Sequence, residues 1–223
     1  MRFKVSTSKE AIQETGGSSY ISKSGVYDVV IKFASIDVSK NGAESINFNI
    51  DYNGNSQTIY GPYVTSKDGD TLEIGAKLIN KLAIIAGMGD GDDFEVEEET
   101  HNVGKDNKPQ DFNVITNFSE LPVKIQLQEE YKKYEGEIRK AMVIKGFFRE
   151  DGASAEEIIN ETEIGKRLAT ILEKYADKVT YKDVTEEEVA AWKEAKAAEA
   201  KGNTPSKPTP KVNTATKKTT VFR

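Results

Sequence analysis

Residues 25–63 read GVYDVVIKFASIDVSKNGAESINFNIDYNGNSQTIYGPY. Alternation over residues 45–52 places four apolar side chains on one face, as expected of a half-buried strand: Ile46, Phe48, Ile50 and Tyr52. Asn-Gly pairs at positions 41–42 and 53–54 favour tight hairpin turns, because both residues tolerate a positive φ. The stretch therefore predicts a meander of three strands, over residues 25–39, 45–52 and 57–63.

A helix is predicted directly after this meander. Asp70 and Glu73 have the spacing of a reciprocal capping box, and Gly87 provides a stop signal. An apolar stripe at helical spacing lies between them, formed by Ile74, Leu78, Leu82 and Ile85. Three meandering strands followed by one helix, with more strands to come, are typical of an OB-fold, which is a five-stranded barrel.

The remaining strands complete this prediction. Alternation predicts a fourth barrel strand over residues 121–128 and a fifth over residues 138–149, and a charged loop joins them. Residues 94–103 suggest an extra strand, which is followed by a loop at 104–110. The fold class is then α+β, mainly β, with an OB-like barrel over residues 1–150. The helix lies between its third and fourth strands.

The apolar period changes from two to 3.6 after residue 150, which predicts a helical appendage over residues 151–201. Two capping-box pairs mark helix starts within it, Ser154 with Glu157 and Thr185 with Glu188. Residues 202–223 are rich in Thr, Pro and Lys and contain few apolar groups, so we expect a disordered basic tail.

Charge is distributed unevenly along the chain. The net charge is −6, and residues 1–150 hold 18 Lys and Arg against 24 Asp and Glu. Residues 201–223 hold six cations and no acid, whereas residues 90–99 hold seven acids and no cation.

There is no cysteine for a disulfide, and no apolar run approaches the roughly 18 residues that span a bilayer. We expect no membrane association.

Catalytic motifs are weak. His101 is the only histidine and is expected in a solvated polar segment. The spacing of Asp90, Asp92 and Asp93 departs from that of a calcium-binding loop. The glycines near residue 89 come after a predicted helix, whereas a phosphate-binding loop comes before one. We therefore expect no enzyme activity, no cofactor and no metal site.

Aromatic and basic side chains instead suggest single-stranded DNA binding, which combines base stacking with phosphate neutralisation. An OB-fold binds oligonucleotides on strands two and three and the adjoining loops. Tyr131 and Tyr134 are the strongest aromatic candidates, because the predicted loop offers no core for two rings. Each tyrosine could alternatively fill the barrel. The candidate binding residues are Lys32, Lys40, Tyr52, Tyr60, Tyr63, Lys124, Tyr131, Lys132, Lys133, Tyr134, Arg139 and Lys145.

Three segments, MRFKVSTSKE, SGVYDVVIKFASIDVSKNGAESINFNIDYNGNSQTIYG and GAKLINKLAIIAG, resemble a family of bacteriophage proteins encoded among replication and recombination genes. Its members are commonly assigned as single-stranded DNA-binding proteins. The resemblance covers roughly residues 1–150. It implies an OB-like core and a role in phage DNA replication or recombination in the cytoplasm of the infected bacterial host.

The tail departs from this resemblance, because many such binders carry an acidic tail with an aromatic residue at its end. Here the sequence is Thr220-Val221-Phe222-Arg223. Two roles for the tail stay open. It partly occupies acidic surface of the protein and adds phosphate contacts when DNA arrives, or it is a solubilising or partner-recruiting tail that never touches DNA, with phage replication proteins as its partners. The alternative for the whole protein is a structural or interaction protein, such as a virion component or an acidic inhibitor of a host DNA enzyme.

Overall fold

The computed structural model describes residues 20–104 and 106–200. Its strands are β1 (Gly25–Val38), β2 (Glu44–Tyr52), β3 (Asn55–Ile59), β4 (Val96–Val103), β5 (Lys108–Ile115), β6 (Leu121–Tyr134), β7 (Glu137–Arg149) and β8 (Val179–Lys182). Its α-helices are α1 (Glu73–Ile85), α2 (Ala155–Ile159), α3 (Lys166–Lys174) and α4 (Glu186–Ala200). The chain is α+β and mainly β, as predicted. The predicted tail, residues 202–223, lies outside the described residues.

The eight strands form one open sheet around the long strand β1. β2 and β3 continue the meander on one side of β1, while its other side pairs with β6 through Gly25 to Ile31 and with β5 through Ala34 to Ile36. β6 pairs with β7 in an antiparallel hairpin and with β8 in parallel. In the described part of the chain, β3 and β7 each keep one edge without a strand partner.

A register shift between Ile31 and Phe33 changes which side chains of β1 enter the core. Ile31 and Ala34 are both fully buried in the core cluster. Phe33 points to the opposite face, where its ring stacks on His101 at 3.9 Å between centroids. Strict alternation along residues 25–39 predicts Phe33 on the same face as Ile31, and the register shift makes that prediction wrong. An extra residue in a strand reverses the alternation beyond it.

Helix α1 packs against this core with three of the four residues of the predicted stripe, because Leu82 and Ile85 are buried and Leu78 is partly buried against the core. Gly75, Ile79, Leu82, Ala83 and Ile85 are its buried residues, whereas Ile74 is 88% exposed. The buried glycine allows close packing, since a Cβ at Gly75 would lie 1.9 Å from the carbonyl oxygen of Tyr63. The predicted capping box is also wrong, because Leu72 is the N-cap residue and no side chain caps the helix.

Strands β4 and β5 form a hairpin that is inserted between α1 and β6. β5 begins at Lys108, so the predicted loop over residues 104–110 is too long. His101 is half-buried between Phe33 and Glu99, and its Nε2 lies 2.6 Å from a Glu99 carboxylate oxygen. The expectation of a solvated histidine is wrong, because the hairpin folds this side chain onto the outer face of β1.

The segment after β7 begins as the sequence predicts. Both capping boxes are present, Ser154 with Glu157 and Thr185 with Glu188, each with reciprocal hydrogen bonds. The structure adds β8, a strand that the sequence pattern does not indicate. Its parallel pairing with β6 joins this segment to the sheet. Val189 of α4 is also buried.

Candidate nucleic-acid interface

A cleft of about 350 Å³ separates the free edge of β7 from β3 and the residues that follow it. Two strand edges that face each other without pairing leave backbone groups available to a ligand. One wall runs along residues 57–62, and the other along residues 140–144. The cleft is therefore open to an extended chain that could lie between the two strands.

Tyr60 stands at the first wall of this cleft. Ile59, the last residue of β3, is buried, so the alternation of the strand turns the next side chain outward. Tyr60 is accordingly 75% exposed, and Tyr63 is exposed as well. These two predicted site residues lie on the surface, where neither ring fills the core.

The turn of the β6–β7 hairpin carries a second aromatic group. Lys132 pairs with Arg139 across the two strands, and Tyr134 pairs with Glu137 beside the turn. Alternation places Lys132, Tyr134 and Arg139 on one face of the hairpin. The Arg139 guanidinium carbon lies 4.5 Å from the centroid of the Tyr134 ring, which is 49% exposed. An exposed ring and two cations thus share one surface.

Tyr131 has a different environment, and its predicted place in a loop is wrong. β6 continues to Tyr134, so both tyrosines belong to a strand. The Tyr131 ring is only 1% exposed, stacks on Tyr181 at 6.0 Å and meets Trp192 edge-on at 6.1 Å. β8 and α4 supply this cover, which no local pattern near residue 131 reveals. Tyr131 is a packing residue.

The hydroxyl group of Tyr131 completes a buried polar cluster. It donates a hydrogen bond of 2.7 Å to Glu129, whose carboxylate also lies 3.0 Å from the Lys140 Nζ. Burial by itself raises the pKa of Glu129, but the hydrogen bonds from Tyr131 and Lys140 outweigh it and lower the pKa. Burial and the neighbouring carboxylate raise the pKa of Tyr131. At neutral pH the cluster therefore holds an ionised carboxylate beside a lysine that lines the cleft.

The predicted cations fall into two groups. Three already have acidic partners: Lys32 with Glu120, Lys124 with Asp28, and Lys133 with Glu188. Within residues 20–104 and 106–200, no acidic partner is found for the exposed side chains of the second group, which are Lys40, Lys132, Arg139 and Lys145. The second group is free to contact phosphate.

Tyr52 does not belong to the surface group. Its ring meets Tyr27 edge-on at 5.5 Å and packs against the core cluster. Sequence reasoning also missed the second wall of the cleft, formed by Lys140, Met142 and Val143 among others. The predicted OB-fold could have indicated this wall, because the fifth strand of such a barrel lies next to the third.

Other kinds of site find no support in the described part of the chain. No three His, Cys, Asp or Glu side chains there form a group that could hold a metal ion. None of its helices is both long enough and apolar enough to cross a membrane.

No protein-family model matches the sequence, and no curated protein matches it either.

Proposed function

We propose that this protein is a non-catalytic single-stranded DNA-binding protein with little sequence preference. The observation that carries the proposal is the open cleft between β3 and β7, with Tyr60 on one wall and the Tyr134–Arg139 pair at the turn that begins the other. Stacking tolerates every base, since each base has a π face, and cations contact phosphate regardless of sequence.

The order of the strands supports an OB-like arrangement as part of this proposal. β3, β2, β1, β6 and β7 follow one another, and α1 lies in the chain between β3 and β6. In an OB-fold the corresponding third and fifth strands are neighbours, and these barrels are often only partly closed. We interpret the cleft as the opening of such a barrel, with the β4–β5 hairpin as an insertion.

The expected binding surface follows from this interpretation. OB-folds bind oligonucleotides across strands two and three and the loops after strands one and four. The equivalent loops here carry Lys40, between β1 and β2, and Tyr134 with Arg139, at the β6–β7 turn. We infer that bases stack on Tyr134 and Tyr60, while Lys40, Lys132 and Lys145 contact the phosphate backbone.

The biological setting in this proposal comes from the sequence resemblance. A sequence-independent binder would coat exposed single strands during phage DNA replication or recombination, in the cytoplasm of the infected bacterium. Its protein partners would then be phage replication proteins.

A fluorescence-anisotropy titration of the full chain tests the proposal. Labelled single-stranded and double-stranded oligonucleotides of equal length are titrated at about 50 mM and about 200 mM salt, a range over which phosphate contacts weaken strongly. We expect micromolar or tighter binding to single strands, weaker binding to duplex, and a linear fall of log affinity with log salt. Absence of binding at the lower salt concentration would reject the proposal.

A second candidate function follows from the acidic residues 90–98, which lie in the loop before β4 and at the start of that strand. In the described part of the chain, none of the carboxylates in residues 90–98 forms an ion pair. An exposed row of unpaired acids can imitate the charge of a nucleic acid, as an inhibitor of a DNA enzyme would. Such a protein would bind a basic protein and ignore oligonucleotides, so the same titration separates the two functions.

A further inference from the structure

An apolar groove of the described surface lies away from the proposed DNA cleft. It has a volume of about 740 Å³ and lies between the end of α1, the loop that follows it, and α2. Its apolar lining is formed by Ala83, Ile84, Met88, Phe94, Ile158 and Ile159. Ile159 is 63% exposed, and Phe94 is exposed too. A groove of this size can enclose a short apolar segment.

One side of this groove is strongly acidic. Asp90 and Asp92 line it, and residues 90–99 together carry seven acids and no cation. The acids in residues 90–98 have no ion-pair partner within the described part of the chain. A suitable occupant therefore combines apolar side chains for the lining with cations for the rim, and contains no acid.

We propose that the groove binds residues 217–223 of the same chain, Lys-Lys-Thr-Thr-Val-Phe-Arg. This segment has an aliphatic and an aromatic residue, Val221 and Phe222, flanked by three cations, and it contains no acid. Val221 and Phe222 enter the apolar lining, and the cations meet the carboxylates of residues 90–93. An aromatic anchor in a pocket surrounded by polar contacts is the usual source of affinity in such interfaces.

The connecting chain is long enough for this contact. Sixteen residues, 201–216, separate the end of α4 from the proposed segment. Fully extended, they span about 55 Å. A domain of the described size has a radius of gyration of roughly 16 Å and hence a diameter of roughly 40 Å. The linker is therefore longer than the straight-line diameter of the domain, and the segment reaches the groove along any surface path from α4 that is shorter than about 55 Å.

The experiment uses the full chain, which has no native cysteine that a spin label could modify. A single Thr220→Cys substitution carries a nitroxide spin label, and amide signals are compared before and after reduction of the label. We expect selective loss of the signals of Ile84, Met88 and Ile159 while the label is paramagnetic. Loss at the β3–β7 cleft instead, or no selective loss anywhere, would overturn the proposal.

Matched variants make the result specific. Ile159→Asp places a charge in the groove, whereas Ile164→Asp changes a similarly exposed side chain that does not line it. Both should fold, because neither side chain is buried. The selective loss should disappear in Ile159→Asp and in Phe222→Ala and persist in Ile164→Asp. If all variants behave alike, apolar docking in the groove is excluded.

A mixture of two differently labelled samples distinguishes a contact within one chain from a contact between two copies. Isotope-labelled chains without a spin label are mixed with spin-labelled chains that carry no isotope. The proposal expects no signal loss in this mixture at low concentration, and a loss there would assign the groove to a second copy. The proposal does not depend on DNA binding, so a failed oligonucleotide titration would leave it standing.

Discussion

The guanidinium carbon of Arg139 lies 4.5 Å from the centroid of the Tyr134 ring, across the β6–β7 hairpin and beside its turn. This cation–π contact holds a positive charge against one face of an exposed aromatic ring. In the proposed function, the exposed ring would stack on a base and the guanidinium would contact a phosphate.

We predict that Tyr134→Ala weakens single-stranded DNA binding by about 1–3 kcal/mol, the cost of losing one stacked base. The thermal unfolding midpoint should not change, because the ring is exposed. Anisotropy titration and thermal melts measure the two effects. Tyr175→Ala is the control, since Tyr175 is similarly exposed and has its own cation, Lys178. Equal losses in both variants would contradict a specific role for Tyr134.

Tyr131 should behave in the opposite way. Tyr131→Ala removes a buried ring and should destabilise the fold by about 3–5 kcal/mol. Tyr131→Phe keeps the packing but loses the hydrogen bond to Glu129, so we expect a smaller loss, about 1–3 kcal/mol. Urea unfolding measures both. Affinity per folded molecule should stay unchanged, and a loss of affinity in a stable Tyr131→Phe variant would return this residue to the binding site.

Glu157 joins the starts of two helices through one carboxylate. Its oxygens accept hydrogen bonds from the backbone N–H groups of Ser154 and Arg167, each 2.8 Å long. Burial raises the pKa of this carboxyl group, but the hydrogen bonds from Ser154, Arg167 and Gly165 outweigh it, so the pKa is lowered. A lowered folded-state pKa means that the ionised group stabilises the fold.

We therefore predict that Glu157→Gln costs about 1–3 kcal/mol at pH 7. This stabilisation is fully present above the unfolded carboxyl pKa of about 4.3 and is lost as the pH falls through the lower folded value. The difference between wild type and variant should accordingly shrink in urea unfolding below pH 4. Glu163→Gln, at an exposed position, is the control. A difference that is independent of pH would reject the ionised carboxylate as the cause.

Deleting residues 202–223 tests the role of the basic tail. The deletion removes five cations. If all five contact phosphate, the slope of log affinity against log salt should become shallower by about 3.5, at roughly 0.7 for each contact to a single strand. Titration at four or more salt concentrations measures this slope. An unchanged slope would mean that the tail does not contact phosphate, which agrees with its docking in the groove of the same chain and equally with recruitment of a protein partner.

Sequence reasoning predicted the features that depend on local chemistry. The face of β2 that carries Ile46 and Phe48 is buried as expected, because alternation operates within one strand. The capping boxes at Ser154 and Thr185 are present, whereas the same spacing at Asp70 and Glu73 forms no cap. The helix after the meander was also predicted, and Leu78, Leu82 and Ile85 of its apolar stripe pack against the core, whereas Ile74 is exposed.

The errors at Phe33 and Tyr131 come from contacts between distant segments. Phe33 changes face because of a register shift against β2, and Tyr131 is buried because β8 and α4, some 50 residues later in the chain, cover it. Both depend on which segments meet in space. A charged sequence such as Glu129-Glu130 predicts a loop, yet the carboxylates pair with Lys140 and Lys182 within the sheet.

The sequence by itself determined the β-rich class, the meander, the position of α1, and which residue types could bind a nucleic acid. These follow from side-chain periodicity and turn chemistry, which act over a few neighbouring residues. Only the tertiary structure decided which tyrosines are exposed and that β3 and β7 face each other across a cleft. Burial and strand pairing are set by contacts between segments far apart in the chain, and no local pattern encodes those contacts.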